Sequence, residues 1–224
     1  DAQESRGLGD VYKRQVHIDC EGSMRIYFTR HGETEWNRAG IIQGQDDSPL
    51  TEEGIEMGKI LREKCKDIHF DAVYSSDLGR AYDTAKIICP DRHIVKTALL
   101  REIDVGYWSG KNIKDVRRGD SWLHSLYFDN PHKYNRIDGE SLYDLRKRVE
   151  KFFEYAVYPE LDKNILIVTH GVTIVAMYSI MENVPMENFW INRVRRNAEF
   201  NIADYHDGKF KIIKKAPQNP VDSI

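Results

Sequence analysis

The stretch Ile26-Tyr27-Phe28-Thr29-Arg30-His31-Gly32-Glu33-Thr34-Glu35-Trp36-Asn37 decides how the rest of the chain is read. Its apolar run stops abruptly at Arg30-His31-Gly32, which is how a buried strand reads when it ends in a polar loop. Gly32 predicts a tight turn, and Glu33 with Thr34 the start of a helix. A strand end facing a helix N-terminus favours anions, because unpaired N–H groups and the positive end of the dipole point into it. An arginine there can hold two phosphate oxygens at once. A neutral histidine beside it can attack phosphorus. Taken alone, the dipeptide suits a basic surface loop better, because short motifs match by chance.

Two further strand exits change that balance. Asn164 to Thr169 (NILIVT) is almost wholly apolar, as a central parallel strand covered on both faces would be. It ends at His170-Gly171, and a helix is expected from Val172 to about Met181. Phe70 to Ser75 (FDAVYS) is another strand, with Ser76 or Asp77 as the cap of a helix that carries Arg80 and runs to about Cys89 before Pro90. Between these lie a Gly-, Asp- and Pro-rich loop over Ile41 to Leu50 and a helix capped by Thr51. That helix carries Gly54, Met57, Gly58, Leu61 and Cys65 on one stripe. His93 to Lys96 is a short strand, and Leu99 to Trp108 is a connection holding Glu102. Ser141 caps a helix with Leu142, Leu145, Val149, Phe152, Phe153 and Ala156 on its buried stripe. Glu199 to Ala203 and Phe210 to Ile213 form a hairpin around Asp207-Gly208. The alternation predicts an α/β fold, a three-layer α/β/α sandwich with a mostly parallel central sheet. Ligands bind outside the carboxyl ends of such strands. If the strands are neighbours, two arginines and two histidines meet at one edge, which suits a bound phosphate far more than it helps a fold.

Composition narrows the setting. The chain has 224 residues, 41% hydrophobic and 31% charged, enough for one large domain with a full core. A net charge of -3 gives no general pull toward nucleic acid or an anionic membrane, so neither is expected as a partner. Cys20, Cys65 and Cys89 fit neither a disulfide framework nor a zinc site, which points to a reducing cytoplasm. No apolar run approaches the roughly 18 residues that span a bilayer. Residues 1–23 are polar, aperiodic and without an apolar signal core. Met24 stands directly before the first strand, so 1–23 are expected to be a non-native or disordered extension. A single domain is expected over 24–216 and a loose tail over 217–224. Residues 110–138, rich in aromatics, are too long for a plain connection and are expected to be an inserted lid or a small satellite core over the sheet edge.

The motifs together resemble the histidine phosphatase superfamily, the phosphoglycerate-mutase-like proteins. Arg30-His31-Gly32-Glu33-Thr34 with Trp36-Asn37 resembles its signature. Gln43-Gly44 and Pro49-Leu50-Thr51-Glu52-Glu53-Gly54 are similar to the segments that follow. Ser75-Ser76-Asp77-Leu78-Gly79-Arg80-Ala81 resembles its second arginine motif. Leu100-Arg101-Glu102-Ile103-Asp104-Val105-Gly106 resembles the segment that supplies its acid. Gly139-Glu140-Ser141 and Val168-Thr169-His170-Gly171 complete the set in order. The resemblance implies His31 as nucleophile, Glu102 as proton donor and then base, and Arg30, Arg80 and His170 as clamps on the phosphoryl oxygens. It further implies Asn37, Gln43, Gly44 and Gly171 at the phosphate, with no cofactor and no metal.

Within the family the Glu102 segment and Asp138-Gly139-Glu140-Ser141 are closer to the phosphatases. The basic run from Lys111 to Arg118 does not match the mutase pattern. A phosphomonoesterase acting on a small phosphorylated metabolite is therefore expected, with a cofactor-dependent mutase and a non-catalytic phosphate binder as alternatives. Asp83 departs from the Gln or Glu common in the family, a change expected to touch helix packing only. His69 and His93 at strand starts are expected to be structural, and Cys65 and Cys89 buried thiols. Arg193-Val194-Arg195-Arg196 is expected to be a solvated face. The substrate's alcohol half and the oligomeric state, a homodimer among the options, stay open.

Overall fold

Six strands form one sheet in the order β3-β2-β4-β1-β5-β6. They are β1 Met24–Arg30, β2 Ala72–Ser76, β3 Ile94–Thr97, β4 Asn164–Thr169, β5 Asn201–His206 and β6 Lys209–Lys214. The computed structural model describes residues 24–159, 163–194 and 197–217. The expectations placed on residues 1–23, on 218–224 and on Arg195-Arg196 lie outside the described residues. β1, β2, β3 and β4 run parallel, and the β5–β6 hairpin adds antiparallel to β1. Its turn sits at Asp207 and Gly208, both at positive φ, which suits the right-handed twist of the flanking strands. The fold is the expected α/β sandwich with a mostly parallel sheet.

Period-two alternation gives each sheet face its own core. On one face Ile26, Phe28, Ile165 and Ile167 pack under helices α6 (Leu142–Ala156) and α7 (Gly171–Met181). On the other, Tyr27, Leu166 and Val168 pack under α2 (Glu52–Lys64) and α3 (Gly79–Ile88). The stripe predicted for α6 is buried residue for residue. Its Ser141 cap and Asp144 exchange hydrogen bonds as a capping box. α7 is buried nearly all round, so its apolar surface has no single face.

Gly32 has a different purpose from the one expected of it. It is not at positive φ. A Cβ there would lie 2.4 Å from the Gly54 carbonyl oxygen, and one on Gly54 would lie 2.1 Å from the Glu33 oxygen. The two glycines let the exit of β1 press against the first turn of α2. The helix that follows, α1 (Glu35–Ala39), begins two residues after Glu33, with Thr34 as its cap. Residues 110–138 fold into α4 (Ile113–Gly119), α5 (Ser121–Asp129) and a short 3-10 turn at Pro131–Lys133. Val116, Tyr127 and Tyr134 from this insertion are part of the main core.

Candidate active site

The β1–β4 register brings the two histidines together. Arg30 pairs with Thr169, and the His31 N–H donates to the Thr169 carbonyl at 3.0 Å. His31 and His170 therefore leave neighbouring strands side by side, with ring centroids 5.3 Å apart. Both are buried. His31 Nδ1 lies 2.7 Å from the Gly32 carbonyl oxygen, which can only accept, so Nδ1 carries the proton. Nε2 is then an acceptor, 3.3 Å from Arg80 Nε. Burial first, then the charges of Arg30 and Arg80, hold His31 well below its ordinary pKa. His170 is held down in the same way by burial and by Arg80, His31 and Arg30. Neither ring nitrogen of His170 has a hydrogen-bond partner among the described residues. A buried polar atom in that condition is costly unless a ligand supplies the partner.

Arg80 rises from the first turn of α3, nearly all of it buried. Its Nη1 donates to the Asp46 carbonyl at 2.6 Å and to Asp47 Oδ1 at 2.9 Å, and its Nη2 to the Gly44 carbonyl at 2.7 Å. The guanidinium is thus immobilised with one edge toward His31. Asp47 also accepts from the Arg80 backbone N–H at 3.3 Å, so it serves as the cap of α3. This corrects the expectation that Ser76 or Asp77 caps that helix: the residue at the cap position is Leu78, which makes no side-chain cap bond. Asp77 is engaged instead by Arg101 through two bonds of 2.7 Å. Ser76 accepts from the Leu78 N–H.

Glu102 stands across the same cleft. Its carboxylate accepts from the backbone N–H of Val172 and Thr173 at 3.2 Å each, and from that of Ile103 at 3.0 Å. The N-terminus of α7 thus holds the Glu102 carboxylate, the anion such a terminus favours. The Thr173 hydroxyl lies 2.8 Å from the Arg101 carbonyl and 3.3 Å from Glu102 Oε1. Arg148 straps the backbone of the same segment. It donates to the Leu99, Arg101 and Glu102 carbonyls and forms a two-pronged pair with Glu140 at 2.8 Å. Glu140 in turn accepts from the Asp104 N–H. That is the physical content of the Gly139-Glu140-Ser141 motif.

Arg30 lines the cleft beside these groups, its side chain over Gly171. Asn37 Oδ1 accepts from the Thr34 N–H and from Asn197, and Gln43 Oε1 from the Ser48 hydroxyl. With the carbonyl side of each amide committed, the N–H side of each is the donor for the cavity both residues line. Gly44 contributes through its carbonyl, which anchors Arg80, and Gly171 through the start of α7. Eight of the nine residues expected at the site thus line one cleft, and the ninth, His170, is buried behind His31 with its ring 5.3 Å away. Asp47, Thr173, Arg148 and Asn197 were not singled out by the sequence. The first three lie within a few residues of a motif or on a motif-flanking helix. Asn197, which also donates to the His31 carbonyl at 3.0 Å, lies far from any motif.

The cleft has an inner chamber of about 270 Å³ and an adjoining outer lobe of about 670 Å³. His31, Arg80 and Glu102 line the inner chamber, and Val105, Trp108, Val116, Tyr127 and Phe128 wall it beside them. Trp108 is both wall and core, and the insertion supplies three of these five walls. Burial, with the charges of Tyr134 and Glu102, pushes the Tyr127 phenol well up, so it stays neutral. His69 and His93 lie outside the strands they were expected to start, both exposed. Cys65 and Cys89 are buried free thiols.

A family model described as histidine phosphatase superfamily (branch 1) matches residues 26–216. Phosphoserine phosphatase 1 of Hydrogenobacter thermophilus is 32% identical over 193 residues, covering 85% of this chain and 91% of its own. A probable phosphoglycerate mutase GpmB of Proteus mirabilis is 32% identical over 189 residues, covering 82% and 86%. The solved structure of Bacillus stearothermophilus YhfR superposes with a TM-score of 0.80 at 31% identity, covering 85% of this chain and 95% of that one.

Proposed function

The chain belongs to branch 1 of the histidine phosphatase superfamily, and from that premise we propose that it is a phosphomonoesterase working through a phosphohistidine on a small phosphorylated metabolite. The observation that carries this is the placement of His31 Nε2, unprotonated and 3.3 Å from Arg80 Nε, in one cavity with Glu102.

In this mechanism His31 Nε2 attacks phosphorus, and the bond to the ester oxygen breaks. Glu102 gives a proton to the departing alkoxide. A water oxygen then attacks phosphorus, the N–P bond breaks back to His31, and Glu102 takes up the proton that water loses. The cycle returns to its starting protonation. Arg30 and Arg80 meet the charge that spreads over the equatorial oxygens, and an incoming anion gives His170 the partner its ring nitrogens lack. Asn37 and Gln43 add neutral donors. In this scheme two guanidinium groups supply the positive charge without a metal ion.

Hydrolysis is favoured over phosphate re-donation by the lining of the inner chamber. A mutase retains a bisphosphate and needs cations at both of its ends. Here Arg30 and Arg80 are the cations among the described residues lining the inner chamber, and Val105, Trp108, Val116 and Phe128 beside them are apolar. The intact pairing of His31 with Glu102 favours turnover over simple phosphate binding. The free thiols Cys65 and Cys89 are in keeping with a reducing cytoplasm, and no described helix is long and apolar enough to cross a membrane. The test is release of p-nitrophenol from p-nitrophenyl phosphate in EDTA, by the native chain and by His31→Ala. Turnover that the substitution abolishes is the expected result. Conversion of 3- to 2-phosphoglycerate stimulated by the bisphosphate, without net hydrolysis, would overturn it.

A further inference from the structure

Part of the lining of the inner chamber takes no part in the phosphoryl chemistry: Val105, Trp108, Val116, Tyr127, Phe128 and Trp190. The only titratable side chains among those walls are Tyr127 and the neighbouring His124. Burial keeps the Tyr127 phenol neutral, and burial with the nearby Arg117 lowers His124. Neither offers a carboxylate a positive charge near neutral pH. A carboxylate drawn into the inner chamber would leave water and, among the described residues lining that chamber, meet no cation beyond Arg30 and Arg80; Arg193 lines the outer lobe, over the Phe128 ring. Burying a charge without a partner is heavily penalised.

The walls are fixed rather than hinged. The Arg136 guanidinium is sandwiched between the rings of Tyr107 and Trp108, 5.0 and 4.6 Å from their centroids. It also donates to the Tyr134 hydroxyl at 3.3 Å and to both oxygens of Asp138. Asp120, at the junction of α4 and α5, accepts from Trp108 Nε1 at 2.8 Å and from the Tyr107 hydroxyl. Trp190 Nε1 donates to the Tyr127 carbonyl, and its ring packs on Phe128 at 5.3 Å. A preformed apolar chamber gains more from an apolar guest than one that must be assembled on binding. An apolar cavity of about 150 Å³ takes a benzene ring, so a chamber of about 270 Å³ takes one ring or branched chain together with the phosphoryl group.

We propose that the alcohol half of the substrate is uncharged and apolar, an arylalkyl or branched-alkyl phosphomonoester, selected by the fixed chamber that Val116, Tyr127 and Phe128 form with Trp108 and Trp190. The inference rests on the phosphomonoesterase reading and deepens it. The experiment compares primary alkyl esters, so that leaving-group chemistry is matched: 2-phenylethyl phosphate, ethyl phosphate, O-phosphoserine and 3-phosphoglycerate. The expected kcat/KM for 2-phenylethyl phosphate exceeds that for either carboxylate-bearing ester roughly a hundredfold, the range that unpaired buried polar groups and lost apolar contact give together. In Phe128→Ala the preference for 2-phenylethyl over ethyl phosphate shrinks about tenfold. A carboxylate-bearing ester turned over faster than 2-phenylethyl phosphate, or an unchanged preference in Phe128→Ala, overturns the inference and leaves the phosphatase standing. Hydrolysis of none of the four, nor of p-nitrophenyl phosphate, overturns the phosphatase reading itself.

Discussion

The two buried imidazoles make stability a readout of the site before any substrate is added. His31 and His170 are held neutral in the folded chain, with pKa values well below the ordinary one of 6.5. In the unfolded chain both titrate near that ordinary value. The unfolded state therefore binds more protons as pH falls below about 6.5, and stability must fall with it. The stabilisation is whole above the unfolded value and is lost toward the depressed folded one. Each imidazole neutral down to pH 5 costs about 1.7 kcal/mol between pH 6.5 and 5.0, and the pair about 3.3 kcal/mol. His124 is also lowered, by burial and by Arg117, and adds a smaller part because it is more exposed. The lowered carboxylates Asp77, Asp138 and Asp144 act only near and below their unfolded value of about 3.8, outside this window. Urea unfolding at pH 6.5, 5.75 and 5.0 measures the slope. His170→Gln, which cannot titrate, is expected to lose about half of the pair's share. Sulfate, a dianion throughout, is expected to stabilise more strongly at pH 5.0 than at 6.5, because it favours the imidazolium it meets. A native slope under about 1 kcal/mol across the window, or a His170→Gln slope equal to the native one, would refute the buried neutral pair.

Two substitutions test the groups that position the clamp and the acid. Asp47→Asn removes the carboxylate behind Arg80 and is expected to lower kcat about tenfold while thermal unfolding shifts only slightly, since Asp47 is itself half-exposed. An unchanged kcat would show that Gly44 and Asp46 hold the guanidinium alone. Thr173→Val removes the hydroxyl 3.3 Å from Glu102 and is expected to lower kcat about fivefold with little change in KM, shifting the pH profile of kcat, with Thr173→Ser restoring both. A change confined to KM, or no rescue by serine, would refute a positioning role for Thr173.

The strands that carry the site were legible because each ends an apolar run at a polar residue, and the parallel register follows from covering both faces. Arg30, His31, Arg80 and His170 could be placed at one edge on that ground alone. The supports were less legible because their partners are distant in sequence. Asp47 caps a helix that starts 32 residues after it, and Arg148 holds carbonyls from 46 to 49 residues earlier. Local capping chemistry pointed to Ser76 or Asp77, yet Arg101 claims Asp77 with two charge-assisted bonds, and tertiary pairing overrides the local preference. The insertion was recognisable as an insertion from its length and aromatic content. Whether it was lid or core depended on Arg136, whose buried guanidinium ties it to the Trp108 segment from both sides.

The helix N-terminus is the point at which structure departs most usefully from sequence. Read locally, the termini beyond His31 and His170 are anion sites suited to phosphate. The α7 terminus instead spends its N–H groups on Glu102. Glu102 has to exchange a proton in the proposed cycle, and a mobile carboxylate would lose alignment in one of its two forms. Fixed backbone donors hold it in place, and they come from the residues immediately after His170. The imidazole that meets the phosphoryl oxygens and the group that handles the proton are therefore spaced by a single helical turn. The phosphoryl group is left to Arg30, Arg80 and the histidines, whose charge can respond to the charge that develops. A site built this way needs no surplus of positive charge over the rest of the chain, which is why a protein of net charge -3 can carry it.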